Sequence, residues 1–166
     1  RCVATCFYEE PLRTSIHRFK FGGCRQYAAV YGKWMAVTIG DKLAGKFDLI
    51  TWAPVSRARK RKRGYDQSAL LCREIGIHLR LESMQTLRKI KDSPAQSTLT
   101  DAAQRRANVS GAYRAERPEC FAGKRVLIID DIVTTGATLA ECSRTLLQAG
   151  ASDVVYAAFA APRKQD

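Results

Sequence analysis

The residues of this chain best suited to chemistry lie in one short run: Asp130, Asp131, Ile132, Val133, Thr134, Thr135, Gly136, Ala137 and Thr138. The apolar stretch Val126 to Ile129 leads into the two carboxylates, and a helix-like pattern begins just after them. A helix N-terminus presents unpaired backbone N–H groups and a partial positive charge, which suits a phosphate. Gly136 lets the backbone approach such a ligand closely, and the Thr hydroxyls add donors. The carboxylates cannot share that phosphate without repulsion. They suit the hydroxyls of a sugar attached to it, or a divalent metal beside it. The run therefore reads as a ribose 5-phosphate clamp, with Thr134, Thr135, Gly136, Ala137 and Thr138 on the phosphate and Asp130 and Asp131 on the ribose. A plain helix cap by Asp131 or Thr135 would need one acid and one Thr, not the full run. No Walker A or GxGxxG pattern is present, which sets aside nucleoside triphosphates and dinucleotides.

The elements that must position this turn can be read around it. Arg125–Ile129 is a strand, Ala137–Ala149 a helix stopped by Gly150, and Asp153–Ala161 the next strand. Upstream, residues 1–8 alternate as an edge strand, and Pro11 opens a helix with Leu12, Ile16 and Phe19 on one face. A longer helix runs from Arg25 to Ala44, and Asp48–Trp52 is a buried strand. Arg57–Arg63, with six Lys or Arg in seven positions, reads as a basic loop, and Asp66 caps the helix beyond it. Residues 84–90 read as a strand, Lys91–Thr98 as a polar loop, and Thr100 as the cap of a short helix to Asn108. Strands alternating with helices at this rhythm give an α/β fold with a central, mostly parallel sheet flanked by helices. His17 and His78 fall on helices and read as structural, and Tyr27, Tyr31 and Trp34 read as packing.

The composition narrows the function classes. The chain has 166 residues, 46% hydrophobic and 27% charged, which suits one globular domain over 1–166. No apolar run approaches the roughly 18 residues of a membrane span. The net charge is +12, and it is segregated: residues 118–166 carry −1 and residues 1–117 carry +13. The basic part calls for an anionic partner such as phosphate, nucleic acid or an acidic surface, or serves solubility alone. Cys2, Cys6, Cys24, Cys72, Cys120 and Cys142 form no CxxC pair and read as reduced, mostly buried thiols of a cytoplasmic protein. The chain opens at Arg1 and not Met, and shows no secretory signal; it reads as a trimmed product.

Ile128 to Thr138 closely resembles the phosphoribosyl pyrophosphate (PRPP) motif of type I phosphoribosyltransferases. Other stretches resemble the ComF (GntX-like) branch of that group, associated with DNA uptake and competence. They are Tyr8, Pro11, Leu12 and Arg13; Phe19, Lys20, Phe21 and Gly22; Pro54, Val55 and Ser56; Arg63, Gly64, Tyr65, Asp66 and Gln67; and Gln96, Leu99, Arg105, Asn108, Gly111, Ala112 and Tyr113. The chain departs from the branch at Trp52, where Pro is usual, and at Asp66, where Asn is usual. A cysteine-rich zinc module that often precedes the domain is not in this sequence.

The resemblance implies a type I phosphoribosyltransferase-like fold, with residues 1–47 as a small N-terminal hood and helices, and 48–166 as the sheet core with its PRPP motif at 128–138. It implies that PRPP and Mg²⁺ bind, and that a nitrogen acceptor displaces pyrophosphate. Mg²⁺ is expected to enter through PRPP, with Asp130 as a candidate ligand and no firm site of protein side chains alone. Asp130 and Asp131 would be the catalytic pair. The pyrophosphate would lie on Pro54, Val55, Ser56 and Arg57, with Arg88 and Lys89 entering a loop that closes over it. The other residues of the basic run would lie beyond that turn. The alternative is a non-catalytic protein of the same fold acting in competence through single-stranded DNA or protein partners. The acceptor and any homo-oligomer stay open.

Overall fold

The structure is a computed structural model in which residues 1–91 and 109–163 are described. Its centre is β5 (Arg125–Ile132). Val126, Leu127, Ile128 and Ile129 are all fully buried, because side chains alternate across a strand and this strand is covered on both faces. Leu127 and Ile129 enter one core with Ile16, Phe19, Met35, Ile39, Leu71 and Ile75. Val126 and Ile128 enter a second with Phe121, Leu139, Cys142 and Leu146.

Three further strands complete the sheet: β1 (Cys2–Phe7), β2 (Leu49–Trp52) and β6 (Asp153–Ala161). Their order is β1-β6-β5-β2, and every pairing is parallel. The register sets Ile50 against Leu127, Ile128 against Tyr156, and Val3 against Ala157. The edge strand read at residues 1–8 is thus an edge strand of this sheet. α1 (Leu12–Phe21), α2 (Tyr27–Leu43) and α4 (Gln67–Leu79) cover one face, and α5 (Ala137–Gln148) covers the other. Parallel neighbours need crossovers, and α5 is the crossover from β5 to β6.

Four readings of the chain are corrected. The thiols are not mostly buried: only Cys72 and Cys142 are, on helices packed against the sheet, while Cys2 and Cys6 lie on the edge strand and Cys24 and Cys120 in connecting segments that neighbours cover only in part. Arg57–Arg63 is not a loop but the helix α3. Ser56 caps it by accepting the Arg59 N–H at 3.3 Å, and Gly64 ends it with φ of 81°. Arg and Lys are good helix formers once a cap is in place, and the charge run hid that cap. Residues 84–90 supply only β3 (Leu87–Lys89), which leaves the main sheet and pairs antiparallel with β4 (Tyr113–Ala115). β4 is three residues long and meets its partner across a long stretch of chain, so no local pattern announced it. Finally, β5 runs on to Ile132, so both acids lie within the strand and not after it. The helix expected at Thr100–Asn108 and most of the loop before it lie outside the described residues.

Candidate functional site

β5, β2, α1, α3 and the turn before α5 converge on one cavity of about 450 Å³. Parallel strands all end on the same side, so the loops after β2 and β5 face one crevice. Asp130, Asp131, Ile132, Thr134 and Thr138 line it from β5 and the turn beyond. Thr135, Gly136 and Ala137 complete that turn behind the lining. Gly136 has φ of 75° and stands at the N-cap of α5, and Thr135 Oγ1 accepts the Ala137 N–H at 3.4 Å. A Cβ built on Gly136 would meet nothing within 4 Å, so the space above this helix start is open.

The two acids sit differently. Asp130 Oδ1 accepts the Ser68 hydroxyl at 3.0 Å and the Asp131 N–H at 2.8 Å. Desolvation, then the neighbouring Asp131 charge, pushes the Asp130 carboxyl well above the ordinary carboxylate range. Asp131 Oδ2 lies 3.0 Å from Lys20 Nζ of α1. Among the described residues no three His, Cys, Asp or Glu side chains gather into a metal cage. Two adjacent carboxylates fit a hard cation that draws its remaining oxygens from a phosphorylated ligand.

The opposite wall follows β2. Ala53, Pro54 and Val55 line the cavity, and Val55 N–H donates to Asp66 Oδ2 at 3.0 Å. Asp66 Oδ1 accepts the Ala69 N–H at 3.2 Å, so one side chain both caps α4 and ties down the 54–56 turn. An Asn here could keep the Ala69 cap, but its NH2 could not accept the Val55 N–H that the second carboxylate oxygen takes; burial raises the Asp66 pKa. Ser56 is buried as the cap of α3. Arg57 is exposed and does not line the cavity. Arg59 and Arg63 do, being one helical turn apart on the inner face of α3. On β3 the same sorting occurs: Lys89 lines the cavity, while Arg88 pairs with Glu116. Alternation along a strand sends such neighbours to opposite sides.

Residues without an assigned role complete the lining: Tyr8, Ile16, His17, Lys20 and Phe21 from the N-terminal part, Ser68 of α4, and Tyr113 of β4. His17 lies on α1 as expected; it is exposed, with its ring 4.8 Å from that of Phe21, and faces the cavity. Tyr31 packs as expected, stacked on Phe159 at 3.9 Å. A helical reading of Arg57–Arg63 would have put Arg59 and Arg63 on one face. Lys20 stood in the Phe19–Gly22 stretch that resembles the ComF branch, but nothing local pointed to its pairing with Asp131.

Comparison with known families matches residues 62–166 to the phosphoribosyl transferase domain. The chain belongs to that family. Its relatives place it in the ComF (GntX-like) branch. The DNA utilization protein YhgH of Escherichia coli is 32% identical over 163 residues, covering 93% of this chain and 69% of that protein. Competence protein F of Haemophilus influenzae is 29% identical over 153 residues, covering 89% of this chain and 66% of that protein. Among solved structures, glutamine PRPP amidotransferase from Bacillus subtilis superposes with a TM-score of 0.51 at 21% identity, over 78% of this chain and 26% of that one. That likeness speaks for the type I phosphoribosyltransferase fold. Among the described residues no helix is long and apolar enough to cross a membrane.

Proposed function

We propose that this phosphoribosyltransferase-fold domain binds PRPP with Mg²⁺ and transfers its phosphoribosyl group to a nitrogen acceptor. The observation that carries the reading is the convergence in one cavity of paired acids, a helix N-terminus rich in Thr, and Arg59 and Lys89 on the other walls. The backbone N–H groups and hydroxyls of Thr134–Thr138 hold the 5-phosphate. Asp130 and Asp131 hold the ribose hydroxyls and favour the positive charge that grows on the sugar. The 54–56 turn, Arg59 and Lys89 receive the pyrophosphate, a role that passes to Arg59 from Arg57, and Arg88 stays with Glu116. The acceptor nitrogen's lone pair forms a bond to the anomeric carbon as the carbon–oxygen bond breaks, and that electron pair leaves on pyrophosphate. Mg²⁺, held with PRPP near Asp130 and Asp131, would supply charge neutralisation for the leaving group.

The test is a thermal-shift titration with PRPP and Mg²⁺. Ligand at 100 times Kd stabilises by about 2.7 kcal/mol. The wild type is expected to shift, and the double variant Asp130→Asn, Asp131→Asn to fold without shifting. An equal shift in that variant removes the acids from the ribose site.

A second reading has its own observation. Arg57, Lys60, Arg61 and Lys62 are exposed on the outer side of α3, away from the cavity-lining pair. Four clustered cations suit a nucleic-acid backbone, and a single strand bound there would show a salt slope of about −3.

A further inference from the structure

Lys20 forms an ion pair with Asp131, one of the paired acids, and its position is built rather than incidental. The C-terminal end of α1 is clamped to the corner between α3 and α4. The Tyr65 hydroxyl donates to the Phe19 carbonyl, Gln67 Nε2 donates to the Lys20 carbonyl at 3.4 Å, and the Arg63 guanidinium lies 4.7 Å from the centre of the Phe21 ring. Arg25 adds a bond to the Gly64 carbonyl at 2.8 Å and packs over the Tyr65 ring. Two stretches 39 to 47 residues apart are thereby locked together, and the consequence is Lys20 Nζ set 3.0 Å from Asp131 Oδ2. The side chains keep only 20% and 12% of their exposure. Lys20 lines the cavity beside His17 and Phe21, on the wall that the phosphate turn and the 54–56 turn leave free.

That pairing bears on the chemistry. Positive charge on the sugar is favoured by the negative charge of the acids, and at low local dielectric a cation 3 Å from Asp131 offsets much of it. Water or another neutral nucleophile does nothing to draw Lys20 away. A nucleophile with a negative group does: its anion pairs with Lys20 and leaves Asp131 to the ribose.

We propose that Lys20 selects an acceptor carrying a negatively charged group, and restrains loss of pyrophosphate from PRPP until such an acceptor is in place. The inference rests on the reading that Asp130 and Asp131 hold the ribose. Phe21, 57% exposed at the same wall, adds an apolar surface for a planar ring, so a carboxylated nitrogen heterocycle is the fitting class.

The experiment uses matched probes that differ in charge: nicotinate against nicotinamide, and orotate against uracil. Binding of PRPP and Mg²⁺ to wild type, Lys20→Gln and Lys20→Arg is measured first. If the wild type does not bind them, the ribose reading fails and this inference falls with it. With PRPP bound, each probe is titrated calorimetrically while pyrophosphate release is followed. The wild type is expected to bind at least one acid about fivefold or more tighter than its neutral counterpart. Lys20→Gln is expected to bring that ratio close to one and to raise acceptor-free pyrophosphate release several-fold, with Lys20→Arg near wild type on both. Binding of neither acid, no preference in the wild type, or a preference that survives in Lys20→Gln overturns the inference while leaving PRPP binding intact.

Discussion

Asp130 holds a carboxyl that its surroundings would prefer protonated, since burial and the Asp131 charge both oppose ionisation. The unfolded chain gives up this proton first, near the ordinary Asp value. Rising pH therefore favours the unfolded chain from that value up to the raised one, and stability falls across the window. Asp130→Asn keeps an oxygen for Ser68 and the Asp131 N–H. It is expected to stabilise the protein at pH 7 by roughly 1–2 kcal/mol, read as about 3–6 °C in Tm, and to flatten the pH dependence. A melting series from pH 4 to 8 checks this, and loss of PRPP binding in the same variant would mark stability given up for function. The arginines make a second contrast. Arg59→Ala is expected to weaken PRPP binding about ten- to a hundredfold, the worth of a charged hydrogen bond, and Arg57→Ala to leave it nearly unchanged. Calorimetric titration of the two variants separates them. The clamp proposed at Asp130 to Thr138 could be read along the chain because its residues are adjacent. The choice of Arg59 over Arg57 could not, because it depends on which side of a helix faces the cavity.

The helices show how small features set the larger geometry. α3 exists where the charge run suggested a loop because Ser56 caps it and Gly64 ends it. Ser56→Ala is expected to cost about 1 kcal/mol, seen in chemical denaturation, and to loosen Arg59 and Arg63 together, seen as weaker PRPP binding. α2 and α4 meet at Gly32, where an added Cβ would lie 2.4 Å from Glu74 Cβ. Gly32→Ala gains about 1 kcal/mol in helix propensity on an isolated helix. Here it is expected to destabilise by about 1–3 kcal/mol, because the packed helices must move apart. A rise in Tm would show that they yield without strain. The boundaries of α1, α2, α4 and α5 followed from apolar spacing and from Pro11, Asp66 and Gly150. The β3–β4 pair did not, since its strands are short and their partnership is set by packing on the second core.

At the scale of the whole molecule, two groups of cations face in different directions. One turns inward on the cavity as Lys20, Arg59, Arg63 and Lys89, and the other outward on α3. Replacing Arg57, Lys60, Arg61 and Lys62 by Gln is expected to spare the PRPP thermal shift. If single-stranded DNA binds α3, its salt slope should lose about 3 in magnitude. Filter binding across a salt series measures it; an unchanged slope would place any DNA elsewhere. The order of apolar runs, caps and glycines along the chain was enough to imply a parallel α/β sheet and to mark the turn and acids of the proposed site. Those features arise from neighbours in sequence, where hydrogen bonding and side-chain alternation act locally. The Lys20–Asp131 pair, the inward face of α3 and the β3–β4 partnership came from residues tens of positions apart. Their meeting is set by how buried faces pack, which no local pattern of residue types encodes.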